Sequence, residues 1–190
     1  MNIDLLTYTP TPEKIIAESA SLCYKENRIM TDEECSKLII GLKKRGHMSP
    51  FEHTCFTFRV NGISRACSHQ LVRHRLASYT QASQRYSDTG CYNFITPDSL
   101  INSKIACRVD SLLVKAKELY GELVAEGVSK EDARYVLPQA VSTSIVVTMN
   151  ARELLHFLEL RTDTHAQWEI RNVALEIKRI VAEVAPTIFN

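Results

Sequence analysis

Arg73, His74 and Arg75 stand side by side, and Ser83-Gln84-Arg85 follows after seven residues. Guanidinium groups bind phosphate and carboxylate through paired N–H donors, and an imidazole can hold or move a proton near neutral pH. A hydroxyl, the backbone amides of a Ser-Gln turn and a guanidinium together suit a phosphate monoester. The pattern predicts a pocket for a ligand with several anionic groups. A solvated basic face, or a surface that grips nucleic acid, is the plainer alternative. Two features weigh against it. No Asp or Glu balances the arginines between 73 and 85, and Ala77, Ser78, Thr80, Ala82, Ser83 and Ser87 read as a loop.

Other candidates lie along the chain. Gln70 stands three and four residues before Arg73 and His74, so a helical end would send an amide, a guanidinium and an imidazole the same way. Neither Gln81 nor Gln84 can act as a base for Ser83, which assigns that hydroxyl to binding rather than to covalent catalysis. Asn150 with Glu153 forms an N-cap pair, and Arg152 and His156 share the polar face of the helix it starts. Arg134 follows Asp132 closely enough for an ion pair. Arg161 lies nine residues beyond Arg152, so on an unbroken helix the two point in roughly opposite directions.

The elements that must position these groups follow from periodicity and caps. Met1–Tyr8 reads as an edge strand, and Thr11-Pro12 starts a helix through about Leu22. Thr31 and Glu34 form a capping box for a helix that Gly46 ends. Phe51–Val60 alternates as a strand, with Glu52, Thr54, Phe56, Phe58 and Val60 on one face, and Asn61-Gly62 breaks it. Helices are predicted over Ser64–His74 and Ile105–Val124, the second with a stripe from Val109 through Leu112, Leu113, Ala116, Leu119 and Tyr120 to Leu123. A short helix from Ser129 stops before Pro138, and Val141–Met149 alternates as a strand. Ile170 to Val184 carries the apolar stripe of the last helix. The order predicts one α+β domain with a mainly antiparallel central sheet flanked by helices.

Composition narrows the function. The 190 residues suit a single domain, and 23 basic against 22 acidic residues give a net charge of +1. Dedicated nucleic-acid binders carry a basic excess, so nucleic acid is not an expected partner. The apolar runs are too short to cross a bilayer and the N-terminus carries no secretory pattern, so a cytoplasmic protein without membrane contact is expected. Cys23, Cys35, Cys55, Cys67, Cys91 and Cys107 form no Cys-x-x-Cys pair. They read as free thiols, mostly small core residues, and no metal site is expected.

Four blocks in order resemble the flavin-dependent thymidylate synthases: Gly46-His47-Met48-Ser49-Pro50-Phe51-Glu52-His53, Arg73-His74-Arg75 with Ser83, Asn150-Ala151-Arg152, and Leu160-Arg161 with His165-Ala166-Gln167-Trp168-Glu169-Ile170. Arg134 before Val136-Leu137-Pro138 is similar to a further family arginine. The resemblance implies a homotetramer with shared active sites that methylates dUMP to dTMP without an enzyme cysteine nucleophile. FAD would be the cofactor, with NADPH and 5,10-methylenetetrahydrofolate as co-substrates. It implies dUMP binding by Gln70, Arg73, Gln81, Ala82, Ser83, Gln84, Arg85, Arg134 and Arg161. It implies FAD binding by Ser49, Arg73, His74, Arg75, Gln81, Asn150, Arg152 and His156. Arg161 is the implied catalytic residue, set against the uracil ring where a fixed cation favours ionisation at N3. Thr80, Gln81 and His156 depart from the residues frequent at those family positions.

Overall fold

Four strands form an antiparallel sheet in the order β1-β2-β4-β3, in a computed structural model that describes residues 1–24, 30–86 and 92–190. The strands are β1 (Asn2–Tyr8), β2 (Cys55–Ser64), β3 (Ala77–Gln81) and β4 (Ser142–Asn150). Alternation decides which face is buried. Phe56, Phe58 and Val60 of β2 and Thr143, Ile145, Val147 and Met149 of β4 point inward. Against them lie α7 (Ala151–Arg161), α8 (Trp168–Val184) and α9 (Pro186–Phe189), together with α1 (Pro12–Ser21) and α2 (Asp32–Arg45). The α8 stripe is buried at Ile170, Val173, Ala174, Ile177 and Val181, as its spacing predicts.

Local chemistry sets the boundaries. Thr31 and Glu34 form the expected capping box on α2, and Gly46 ends that helix with φ 71°. Ser64 closes β2 and caps α3 (Arg65–Leu71), its hydroxyl accepting from Cys67 N at 3.0 Å. The same hydroxyl donates to Glu169 Oε2 at 2.5 Å, and Ser64 N donates to Glu169 Oε1 at 2.6 Å. Glu169 is buried in the first turn of α8, so one carboxylate pins α8 to the β2–α3 junction. Gln167 caps α8 through Glu169 N and Ile170 N.

Several expectations need correction. Ser49–His53 is a 3₁₀ turn, so β2 starts at Cys55. It does not break at Asn61-Gly62 but runs on to Ser64, with the register shifting between Asn61 and Ile63 where Gly62 takes φ 69°. α3 stops at Leu71, three residues short of His74. Ala77–Gln81, read as loop from its small and hydroxylic residues, is β3: pairing with β4 overrides local composition. Thr11 lies at φ 46° and makes no side-chain cap. The short α4 (Asp98–Ile101) and α9 had no sequence signal.

The helix α5 (Ala106–Ala125) forms where predicted, but only Leu113 and Tyr120 of it are buried. Tyr120 joins Tyr92, Ala133 and Val141 in a second, smaller cluster, while Leu112 is 64% exposed. Below it sit α6 (Lys130–Ala133) and the 3₁₀ turn Arg134–Val136. No described helix is long and apolar enough to cross a membrane.

Ser64→Ala should lower the unfolding free energy by about 1–3 kcal/mol, because it strips a donor from a buried carboxylate and removes the α3 cap. Denaturant melts of the two chains measure this; equal midpoints would mean that the Glu169 clamp does not hold the junction.

Candidate active site

α3 carries one group of polar residues near each end. Seven residues at 1.5 Å rise separate the groups by roughly 10 Å.

At its C-terminal end, α3 runs into the turn Val72–Arg75, where Arg73 N donates to Gln70 O at 3.3 Å and His74 N to Leu71 O at 3.2 Å. Arg73 and Arg75 are exposed, whereas His74 is 5% exposed. The expectation that Gln70, Arg73 and His74 point one way therefore fails, because α3 has already ended and the turn rotates His74 inward. Its ring meets the edge of Phe157 at a centroid distance of 5.0 Å and lies 6.0 Å from His156. Tyr79 Oη donates to the carbonyl oxygens of both Leu71 and His74 at 2.8 Å, fastening β3 to this turn.

Arg161 is the last residue of α7. α7 is unbroken back to Arg152, so Arg161 leaves it on roughly the opposite side from that residue. Arg161 Nε donates to His74 Nε2 at 3.1 Å, and Nη2 reaches Gln70 O at 3.4 Å. A cation at two helix C-termini is electrostatically favoured. On its other side His74 Nδ1 lies 3.2 Å from Glu153 Oε1, and Glu153 is only 6% exposed. Glu153 was expected as the partner of the Asn150 cap. Its backbone N–H does donate to Asn150 Oδ1 at 2.9 Å, but its side chain turns to His74. Burial, and then the Arg161 guanidinium, hold the His74 pKa below the ordinary imidazole value, with Glu153 opposing.

Arg152, at the other end of α7, pairs with Glu52 at 2.5 Å. It stands between two cavities. One, of about 610 Å³, is lined by Met48, Leu76, Arg152, Leu155 and His156 among others; a second, of about 490 Å³, includes Leu42, Met48, Ser49, Pro50 and Arg152. Met48 and Arg152 line both, so the expected FAD residues Ser49, Arg152 and His156 fall in two adjoining cavities, the first of which Lys43, Glu153 and Glu159 also line. His165, from the fourth family block, is 95% exposed and bonded to Asp163 at 2.8 Å.

At the N-terminal end of α3, Arg65 Nη2 donates to Ala82 O at 3.0 Å. Ser83 Oγ accepts from Arg85 N at 3.2 Å, Gln84 is buried, and Arg85 pairs with Glu131 at 2.7 Å. Arg134 Nε donates to Glu131 O at 3.0 Å rather than pairing with Asp132, which accepts from Ser129 Oγ. Gln81 lies between the two groups, its Nε2 donating to Ser68 Oγ at 2.9 Å and to Thr143 Oγ1 at 3.2 Å. The expected nucleotide residues therefore divide between both ends of α3. Arg65, Glu131 and Glu153 are neighbours that pattern did not single out; Arg65 alone carried a local hint, as a cation opening a helix.

Burial pushes the Cys67 thiol up to about 12, with Glu169 adding to the rise. Cys91 lies outside the described residues.

Because His74 is kept neutral when folded, the unfolded chain takes up its proton first as the pH falls. The stability is intact above the ordinary histidine value of about 6.5 and is lost as the pH drops through the lower folded value. His74→Gln, whose amide can still accept from Arg161 and donate to Glu153, should flatten the fall in Tm between about pH 6.5 and 5. Parallel curves for the two chains would remove His74 as the source.

The sequence profile described as "Thymidylate synthase complementing protein" matches residues 4–187. A flavin-dependent thymidylate synthase of Geobacter sulfurreducens is 46% identical over 199 residues, covering 100% of this chain and 86% of that protein. The Sulfurisphaera tokodaii protein of the same name is 44% identical, covering 100% and 77%. That of Clostridium tetani is 39% identical, covering 100% and 86%. Matched nearly end to end, this chain belongs to the thymidylate synthase complementing protein family.

Proposed function

We propose that the chain catalyses the reductive methylation of dUMP to dTMP, with 5,10-methylenetetrahydrofolate as carbon donor, FAD as cofactor and NADPH as reductant. One observation carries the reading: Arg161 is fixed at the junction of two helix C-termini by His74 Nε2 and Gln70 O, beside the Arg73–Arg75 segment. The guanidinium is held there by neutral acceptors, an imidazole nitrogen and a carbonyl oxygen. Set against a uracil ring, it favours loss of the N3 proton and raises electron density at C5, the carbon to be methylated.

The two cavities that share Met48 and Arg152 suit a flavin, with apolar walls for a flat ring system and Lys43, Arg152 and His156 as donors for a diphosphate, beside Glu153 and Glu159. Ser49, Arg152 and His156 would hold it, and Arg73, Arg75, Gln81 and Asn150 are proposed as further contacts to it. His74 supports that pocket through Arg161 rather than by offering a free ring nitrogen. When bound, FAD supplies the two electrons that complete the methyl group. Ser83, Arg85 and Arg134 would take the nucleotide phosphate, with Gln70, Arg73, Gln81, Ala82 and Gln84 around the nucleoside. The division of these residues between the two ends of α3 supports a site completed by a second copy. The uncovered apolar residues of α5 support assembly with further copies; the homotetramer and a place in the cytoplasm are part of the proposal.

The reading needs no cysteine, and Cys67 is held as an unreactive thiol. Cys67→Ser should therefore retain turnover within a few-fold; abolished activity in a chain that melts normally would bring a thiolate back into the mechanism.

The deciding experiment is the visible spectrum of the FAD-reconstituted protein during anaerobic NADPH addition, with and without dUMP. Bleaching that requires dUMP is expected, together with dTMP formation once the folate is added. Arg161→Ala should keep the flavin spectrum but form dTMP at least 100-fold more slowly, about 3 kcal/mol of transition-state stabilisation. Failure to bind flavin, or near-normal dTMP formation by that variant, would defeat the proposal.

A further inference from the structure

The Nε of Arg161 depends on a single lone pair, that of His74 Nε2. A guanidinium has five N–H donors and no acceptor, so the 3.1 Å contact from Arg161 Nε requires His74 Nε2 to be unprotonated. A neutral imidazole carries its proton on the other nitrogen. That nitrogen, Nδ1, faces Glu153 Oε1 at 3.2 Å, and an ionised carboxylate only accepts. The arrangement is thus directional: Nδ1–H donates to Glu153, and Nε2 accepts from Arg161. In the opposite tautomer two N–H groups would face each other at Arg161, and the carboxylate would face a lone pair. Both contacts would be lost together.

Glu153 is well placed to impose that choice. It is nearly buried, and its backbone is fixed by the Asn150 cap at the start of α7. Arg161 ends the same helix, and Phe157 between them lies against the His74 ring. A helix of 11 residues therefore holds the carboxylate, the ring's apolar wall and the cation in one rigid frame, with His74 inserted from the turn after α3. The groups with charge or a titratable proton around the ring are Glu153, His156 and Arg161 from α7 and Tyr79 from β3, whose hydroxyl is occupied by the Leu71 and His74 carbonyls.

We propose that Glu153 is a positioning residue for the reaction: it fixes His74 as the Nδ1–H tautomer, and His74 Nε2 then orients the Arg161 guanidinium. This rests on the catalytic role of Arg161 proposed above. The role of the carboxylate is to choose a tautomer, and it acts through His74. Protonation of His74 would place a second N–H against Arg161 and release it, so turnover fails on the acid side. Removing the Glu153 charge withdraws the group that favours the imidazolium, which moves that failure to lower pH.

The test compares Glu153→Leu, Glu153→Gln, His74→Gln and Arg161→Ala in the full-length FAD-loaded protein. With ¹⁵N-labelled histidine, His74→Gln identifies the ring signals of His74, which should report the Nδ1–H tautomer in the parent chain and in Glu153→Gln, but not in Glu153→Leu. The kcat of Glu153→Leu should fall at least tenfold while KM for dUMP changes less than threefold. Glu153→Gln, which keeps an acceptor, should recover most of that loss, with the acid limb of its kcat profile displaced to lower pH. A role in folding alone would not move that limb. An Nε2–H tautomer in the parent chain would overturn the proposal. So would an unmoved acid limb in Glu153→Gln, a readout that stands even if Glu153→Leu does not fold. Arg161→Ala separates the two readings. If it is inactive and the Glu153 variants behave as the parent, the relay is wrong and the catalytic role stands; if it turns over normally, that role itself is wrong.

Discussion

The pairing of β2 with β4 is the constraint on which the site depends. β2 passes directly into α3 at Ser64, and β4 passes directly into α7 at Asn150. The strands are antiparallel, with Cys55 opposite Asn150 and Ser64 opposite Ser142, so the two helices start at opposite ends of the sheet. The nine-residue strand spans roughly 30 Å, whereas α3 and α7 together span roughly 27 Å. Two helices of those lengths, starting apart and running back, bring their C-termini together. Arg161 bridges that junction because both helix ends present carbonyl oxygens and negative dipole there.

Two buried carboxylates then convert approximate proximity into fixed geometry. Glu169 binds the first turn of α8 to the entry of α3, and Glu153 engages the turn that leaves α3. Each accepts from a group far away in sequence, 105 residues in one case and 79 in the other. A buried charge without such donors would be costly, so each carboxylate also discriminates against any packing that separates it from its partner. α3 is thereby held at both ends, and the residues that flank it inherit that precision.

What was legible in the sequence is what periodicity and local caps encode. The alternation in β4, the stripe of α8 and the Thr31–Glu34 box needed no tertiary information. The strand β3 did not show, because Ala77–Gln81 is short and its small and hydroxylic neighbours read as loop, outweighing Tyr79 and Thr80; pairing with β4 makes it a strand. Gly62 was read as a stop, yet a glycine with positive φ can equally carry a bulge through a continuing strand. The resemblance singled out Arg161 and His74, while Glu153 read as half of a helix cap because its real partner is remote. Such pairs have no spacing rule, since the fold alone makes them neighbours. The α5 stripe was visible, but periodicity does not say whether a face meets its own core or remains open.

The pairing of Arg85 with Glu131 gives the phosphate-like corner an unusual character. Its Arg85 is already partly neutralised from within, while Arg134 and Arg65 donate to carbonyl oxygens, so an incoming dianion does not meet a wholly unscreened positive well. It must instead trade places with a carboxylate, and the field gained is smaller than the number of arginines suggests. Discrimination at such a corner comes from shape and donor count: a ligand with three oxygens can engage what a two-oxygen side chain only partly occupies.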